Sequence, residues 1–381
     1  MKYSISQSLL ILLPLVILLP SCDVYKAIRY GGIPKQGNYK HFKQRKIEAP
    51  TTAFYFKQAA KDYGLGQTIG VTSRDFKSTN ISLDSFTNTH ETISFLIIRN
   101  DTILYERYRK KRTDTSLVSS FSLVKPIVST LIGIAIDEGK IKSIDDKIID
   151  YLPELKSKPG WDQITIKHLL HHTSGIRFSD NNLNPVSDNA QFYWGNNLRK
   201  EMLNMTLQCP PGTMFRYSSE NTLLLGAILE KVSGTTISKY LEEKIWKPLQ
   251  MEAPAYWSLD RPDSLGIEKV FCCLQARAID FAKIGRLYLD GGNWNGKQIV
   301  SKSWVDYSTH PDPSGGNKHF YNNNWGIGPL KYGSFYAVGL YGQYVYVYPE
   351  KHIIIVRFGD TDIGYSPSYW TNVFLQIIDQ M

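Results

Sequence analysis

The chain of 381 residues has only four cysteines, Cys22, Cys209, Cys272 and Cys273. Cys22 is set aside below for another use, which leaves an odd number and no disulfide framework. The spacing does not suit a zinc site. Cys272 and Cys273 are adjacent, where a bridge would be strained, so both read as small buried hydrophobes. No Gly-x-Ser-x-Gly elbow occurs, which sets aside the common α/β-hydrolase route to a serine nucleophile. A phosphate-binding glycine loop and a His-Glu-x-x-His zinc helix are missing too. There is no internal repeat and no long low-complexity tract. What is present is a globular composition, 13% aromatic and 21% charged. The length suits two domains or one large one, able to bury roughly 75% of the unfolded surface.

The apolar run from Leu9 to Pro20 is too short to span a bilayer comfortably and fits the core of a secretory signal. Leu19-Pro20-Ser21-Cys22 resembles the bacterial lipobox, in which the cysteine is acylated. Residues 1–22 are therefore expected to be a signal peptide with a lipobox, and the mature protein an exported bacterial cell-envelope lipoprotein anchored through Cys22. The formal net charge is +9, with Lys26, Arg29, Lys35, Lys40, Lys43, Arg45 and Lys46 crowded after that cysteine. Residues 23–50 read as a basic tether drawn to anionic headgroups. No nucleic-acid motif accompanies the charge, so the expected partner is the membrane, through the lipid anchor, and not nucleic acid.

Two β-rich runs, Thr92 to Ile98 and Ile103 to Tyr108, flank Asn100-Asp101-Thr102 and predict a hairpin. An apolar helix follows from Pro126 to about Glu138, with Gly139 as its stop. The middle is mostly helical, with helices expected over Ile164–His172, Asn221–Val232, Ile237–Trp246 and Arg277–Leu289. Strands return at Phe335–Leu340, Gln343–Tyr348 and Ile353–Phe358, before a last helix over Tyr369–Ile378. This order predicts an α/β (α+β) fold. A mostly antiparallel sheet is built from both chain ends and flanked by helices, with a helical insert over about 140–330.

Ser122-Leu123-Val124-Lys125 stands at the mouth of that apolar helix and is the only place where a lysine follows a serine by three residues. Residues so spaced on a helix share a face, with Cβ atoms roughly 5–6 Å apart. A hydroxyl and an amine held that way form a nucleophile beside a base. Tyr217-Ser218-Ser219 ahead of the Asn221 helix, Ala337-Val338-Gly339-Leu340-Tyr341-Gly342-Gln343 on a late strand, and Leu169-Leu170-His171-His172-Thr173-Ser174-Gly175 add three further landmarks. His168, His171 and His172 lack the carboxylate that would complete a metal set, so no metal and no cofactor is expected.

In order and spacing these landmarks resemble the serine β-lactamase and penicillin-binding-protein superfamily over residues 51–381. The pattern around Gly339 is closest to class C β-lactamase-like esterases and 6-aminohexanoate-dimer (nylon-oligomer) hydrolases. The resemblance implies a β-lactamase/transpeptidase-like fold and a catalytic set of Ser122, Lys125 and Tyr217. It implies an oxyanion hole from the backbone N–H groups of Ser122 and Leu340, and substrate contacts from Ser219, Gly339, Tyr341 and Trp325. Trp257 and Tyr344 are further candidates for an aromatic cleft. Either Lys125 or Tyr217 would take the serine proton. Ser219 stands where these families carry asparagine, and Ala337 where they carry lysine or histidine. Loss of that cation argues against penicillins and D-Ala-D-Ala peptides, both of which bear a carboxylate. The expectation is a serine hydrolase acting through an acyl-enzyme on a small-molecule ester or linear amide. A β-lactamase or D,D-carboxypeptidase, and a non-catalytic binding lipoprotein, are the alternatives.

Overall fold

The structure, a computed structural model, describes residues 22–30, 33–60, 68–72, 78–179, 184, 186–361 and 366–381. The expected signal sequence lies, apart from Cys22, outside the described residues.

The backbone of the fold is an eight-stranded sheet. Its strands run in the order Tyr321–Asn322, Trp325–Ile327, Phe335–Gly339, Gln343–Tyr348, Ile353–Gly359, Thr92–Arg99, Thr102–Tyr108 and Lys57–Gln58. All neighbours are antiparallel except the last pair. Asn100 and Asp101 both take positive φ (47° and 56°) and make the tight turn of the first hairpin. The sheet is assembled from both ends of the chain, as expected, because Ile353–Gly359 pairs directly with Thr92–Arg99.

Both faces of the sheet are covered, which is why its central strands read as unbroken apolar runs. Alternate residues enter different cores. Leu96, Ile98, Val345 and Val347 pack with the helices Lys125–Asp137, Ser219–Ser233 and Ala278–Leu289, whereas Phe95, Ile97, Tyr344 and Tyr346 pack with the terminal helix Pro367–Asp379. The helix Lys125–Asp137 is buried along almost its whole length. Gly133 lets it pass Trp304, since a Cβ there would stand 2.6 Å from the indole.

Two expectations need correction. Residues 23–50 are not a free tether over their described part. The helix Cys22–Tyr30 buries Ala27 and stacks Tyr30 on His41 and Trp194. Gln44–Ile47 forms the edge of a four-stranded sheet with Ala255–Ser258, Leu274–Arg277 and Leu117–Ser119. Arg45 pairs with buried Glu268 at 2.7 Å. The apolar residues that anchor this segment are dispersed among lysines, so its composition hides its packing. The insert is also less separate than the 140–330 boundaries imply. It contains two strands of the smaller sheet and two of the larger, and its helix Ala278–Leu289 lies against the main sheet with Gly285 abutting Val345 and Ile354.

Candidate active site

Ser122 lies in the single 3-10 turn Phe121–Val124, which runs straight into the helix Lys125–Asp137. Lys125 Nζ stands 3.0 Å from Ser122 Oγ. The lysine is buried, and on its other side it donates to the Phe271 carbonyl at 2.8 Å. Phe121, just before the serine, has φ of +44°. A non-glycine residue stays in that region only where its surroundings impose it. Here the surroundings are identifiable. Ser120 N donates to Leu274 O at 2.9 Å, and Leu274 N donates to Ser120 Oγ at 3.3 Å. The segment from Phe271 to Leu274 thus grips both the amine and the start of the serine turn.

The strand Phe335–Gly339 closes the opposite side. A Cβ on Gly339 would stand 2.5 Å from Ser120 O and 3.1 Å from Leu123 N, so glycine is what allows strand and turn to touch. Ser122 is the second residue of its turn, where a backbone N–H finds no partner within the helix. Leu340 follows the strand and lines the same cleft as Ser122. The loop beyond it is fixed from behind. Gln343 Nε2 donates to Leu340 O at 2.7 Å, and buried Arg357 donates to the Tyr341 and Gly342 carbonyls at 2.6 and 2.7 Å.

Tyr217 presents its ring 5.1 Å from Lys125 Nζ. It stacks on His172 with centroids 4.8 Å apart. His172 Nδ1 accepts the Ser218 N–H at 3.1 Å, which leaves the ring proton on Nε2, 2.9 Å from Asn324 Oδ1. Burial, and secondarily the charge of Lys125, push His172 down to about 3, so the platform under Tyr217 is neutral at pH 7. The three histidines read in sequence are engaged separately. His168 Nδ1 caps its helix by accepting the Thr165 N–H, and His171 meets the Tyr307 hydroxyl at 3.2 Å.

Ser122, Tyr217, Ser219, Gly339 and Leu340 open on one cleft of about 1560 Å³, with Lys125 beneath it. Four expected aromatics do not line it. Trp325 is buried in the core against Tyr288 and Phe335, and Gly326 and Ile327 beside it face the cleft instead. Tyr341 is buried with its ring edge against Phe121, and its hydroxyl donates to the Pro34 carbonyl. Trp257 is sealed in the core, bonded to the Lys269 and Cys272 carbonyls, and Tyr344 packs under the terminal helix. Cys272 and Cys273 are not separate thiols: they are joined to each other, with Cys273 in a left-handed backbone conformation (φ 73°). Sequence reasoning missed the Phe271 carbonyl, since a main-chain acceptor has no residue signature. It also missed the platform role of His172, although the motif holding that histidine was noted.

A Ser-x-x-Lys turn with its lysine buried, and a glycine strand in contact with that turn on this three-layer scaffold, fit the β-lactamase/transpeptidase class of serine hydrolase. Residues 86–364 match the Beta-lactamase family, and the chain belongs to it. It is 26% identical over 292 residues to the 6-aminohexanoate-dimer hydrolase of Paenarthrobacter ureafaciens, covering 70% of this chain and 72% of that one. Among solved structures it is similar to one titled "Putative 6-aminohexanoate-dimer hydrolase from Bacillus anthracis" (TM-score 0.77, 23% identity, 90% and 92% of the two chains). A family VIII carboxylesterase shares the fold with a TM-score of 0.60 at 19% identity, over 78% of this chain and 95% of that one.

Two outcomes follow from this geometry. Gly339→Ala pushes the strand off the serine turn, and kcat should fall about 100-fold, on the scale of losing one transition-state hydrogen-bond donor. A kcat within twofold of the parent, in a variant of unchanged melting temperature, would contradict the close approach. The second concerns pH. Burial holds His171 at about 4 and His172 at about 3, both below the ordinary histidine value of about 6.5. The unfolded chain therefore binds more protons on acidification. This stabilisation is complete above about pH 6.5 and declines toward pH 4 by about 1.4 kcal/mol per pH unit for each ring. Urea midpoints at pH 7 and pH 5 should show the loss, and His171→Gln should shrink it; a midpoint that rises at pH 5 contradicts the burial of these rings as neutral groups.

Proposed function

We propose that this chain hydrolyses a carboxylic ester or linear amide through an acyl-enzyme on Ser122. The observation that carries the reading is the 3.0 Å contact of Lys125 Nζ with Ser122 Oγ, with the Phe271 carbonyl holding the amine from the far side. Acylation requires Lys125 in its uncharged form, in which it keeps one N–H on that carbonyl and turns its lone pair to the serine hydroxyl. The proton passes to Nζ as Oγ attacks the substrate carbonyl carbon. The developing oxyanion takes the N–H groups of Ser122 and Leu340, and one such donor is worth about 3–4 kcal/mol. Tyr217, on its neutral platform, is the second proton carrier and completes transfer to the leaving group. Water then reaches the acyl carbon along the same path and restores the serine. Ser219 and Gly339 border the substrate in this reading.

The names of the similar proteins, a 6-aminohexanoate-dimer hydrolase and a carboxylesterase, support an amide or ester substrate. Ala337 is buried in the core and brings no cation to the cleft, so a penicillin or peptide carboxylate has no counterpart at that position.

A fluorophosphonate probe should label folded protein at Ser122, and Ser122→Ala should lose both labelling and turnover while keeping its melting temperature. Labelling elsewhere, or a Ser122→Ala variant with most of its esterase activity, removes the assignment. Stable acylation by a fluorescent penicillin would move the substrate to the β-lactam or peptidase class instead. Export and acylation at Cys22 belong to the same proposal and are supported by Leu19-Pro20-Ser21-Cys22. Radiolabelled palmitate fed to expressing bacteria should enter the protein and be absent from Cys22→Ala. Equal labelling of the two would refute the anchor.

A further inference from the structure

We propose that the cleft takes an uncharged, largely apolar chain several carbons long, so that the preferred substrate is a hydrophobic carboxylic ester and not a short oligomer with charged ends. The inference rests on the catalytic reading of Ser122 above and specifies its substrate.

Three observations carry it. The wall around Ser122 is built from Phe121, Phe215, Phe271, Phe320, Leu330 and Tyr336. Such a surface gains from covering methylenes and offers little to a hydrated ion. The apolar lining also does not stop near the reacting serine. Phe320 and Leu330, both part of the wall, are 46% and 69% exposed, so the greasy surface continues outward to the mouth. The volume of about 1560 Å³ exceeds the roughly 300–1,000 Å³ usual for small-ligand sites, more room than a two-carbon acyl group can use.

The polar side chains of the lining are of the same character. Ser219, Asn189 and Thr371 are neutral hydroxyl and amide groups. Among the described residues that line the cleft there is no Asp, Glu, Lys or Arg, and the single imidazole, His319, sits in an exposed position beside Phe320. Lys125 lies below the surface with its amine directed to Ser122 and the Phe271 carbonyl. A carboxylate on a six-carbon chain laid along these phenyl and aliphatic walls would therefore lose part of its hydration with no cation among the described lining residues to replace it. Burying an ion that way is costly unless an opposite charge meets it.

The test uses the full chain and p-nitrophenyl esters of acetic, butyric, hexanoic and octanoic acids, each below its aggregation threshold. A fully buried methylene corresponds to about a fourfold change in affinity. We expect kcat/KM to rise by at least about tenfold from acetyl to octanoyl, since chain burial is incomplete near an open mouth. A matched pair isolates charge: p-nitrophenyl methyl adipate against p-nitrophenyl hydrogen adipate. These have the same chain length and differ in a terminal carboxylate, and the uncharged ester should be favoured by at least about tenfold. Leu330→Arg should narrow the octanoyl-to-acetyl ratio. A flat or falling ladder, or a carboxylate ester used as well as its methyl ester, overturns the proposal while acetyl turnover leaves the catalytic reading standing. If no ester is turned over and intact mass shows no acyl group on Ser122, the catalytic reading fails and this proposal falls with it.

Discussion

The serine turn is held between two stretches of main chain, and the rest of the site depends on that confinement. On one side, Phe271 to Leu274 binds the lysine amine and the backbone of Ser120. On the other, Gly339 brings a strand within van der Waals limits of Ser120 and Leu123. Neither support is close to Ser122 in sequence. The 3-10 turn Phe121–Val124, running into the helix at Lys125, sets the spacing of hydroxyl and amine, but these two backbones set their place relative to the cleft. The same confinement accounts for the positive φ at Phe121.

The scaffold exists to bring those segments together. The eight-stranded sheet joins the late strand ending at Gly339 to a hairpin from early in the chain, and the four-stranded sheet sets Gln275 opposite Ser119, which brings Leu274 to Ser120. Gln36 links the two. Its side chain accepts from Ser119 N at 2.8 Å and donates to Gly359 O at 3.2 Å, while Gly359 N donates to Gln343. A segment that looks like a linker by composition is thereby tied to both sheets behind the site.

The main sheet and its helices were legible because their signals are local. Asn100-Asp101 between β-rich runs marks the hairpin, and Gly139 and Gly234 stop their helices with positive φ. The strands Gln44–Ile47, Leu117–Ser119, Ala255–Ser258 and Leu274–Arg277 were not legible. Each is three or four residues long, with partners distant in sequence. Ser122, Lys125, Tyr217, Ser219 and Gly339 could be named from residue type and order, and the structure gathers them at one cleft. The aromatics misled because a large ring serves a core as well as a cleft. On a strand the neighbour faces the other way, so Trp325 went inside while Gly326 lines the opening. The residues around Leu340 divide similarly, with Tyr341 turned inward to Pro34.

The pairing of Thr92–Arg99 with Ile353–Gly359 has a consequence in time. Ser122 and its amine neighbour are made well before the glycine strand, the loop that follows it and the strand that seals the sheet. Until those strands emerge, a nascent polypeptide carries the Ser122 hydroxyl without the surroundings that position it. In the proposed mechanism, a product that stops short of Gly339 would therefore be inert rather than uncontrolled.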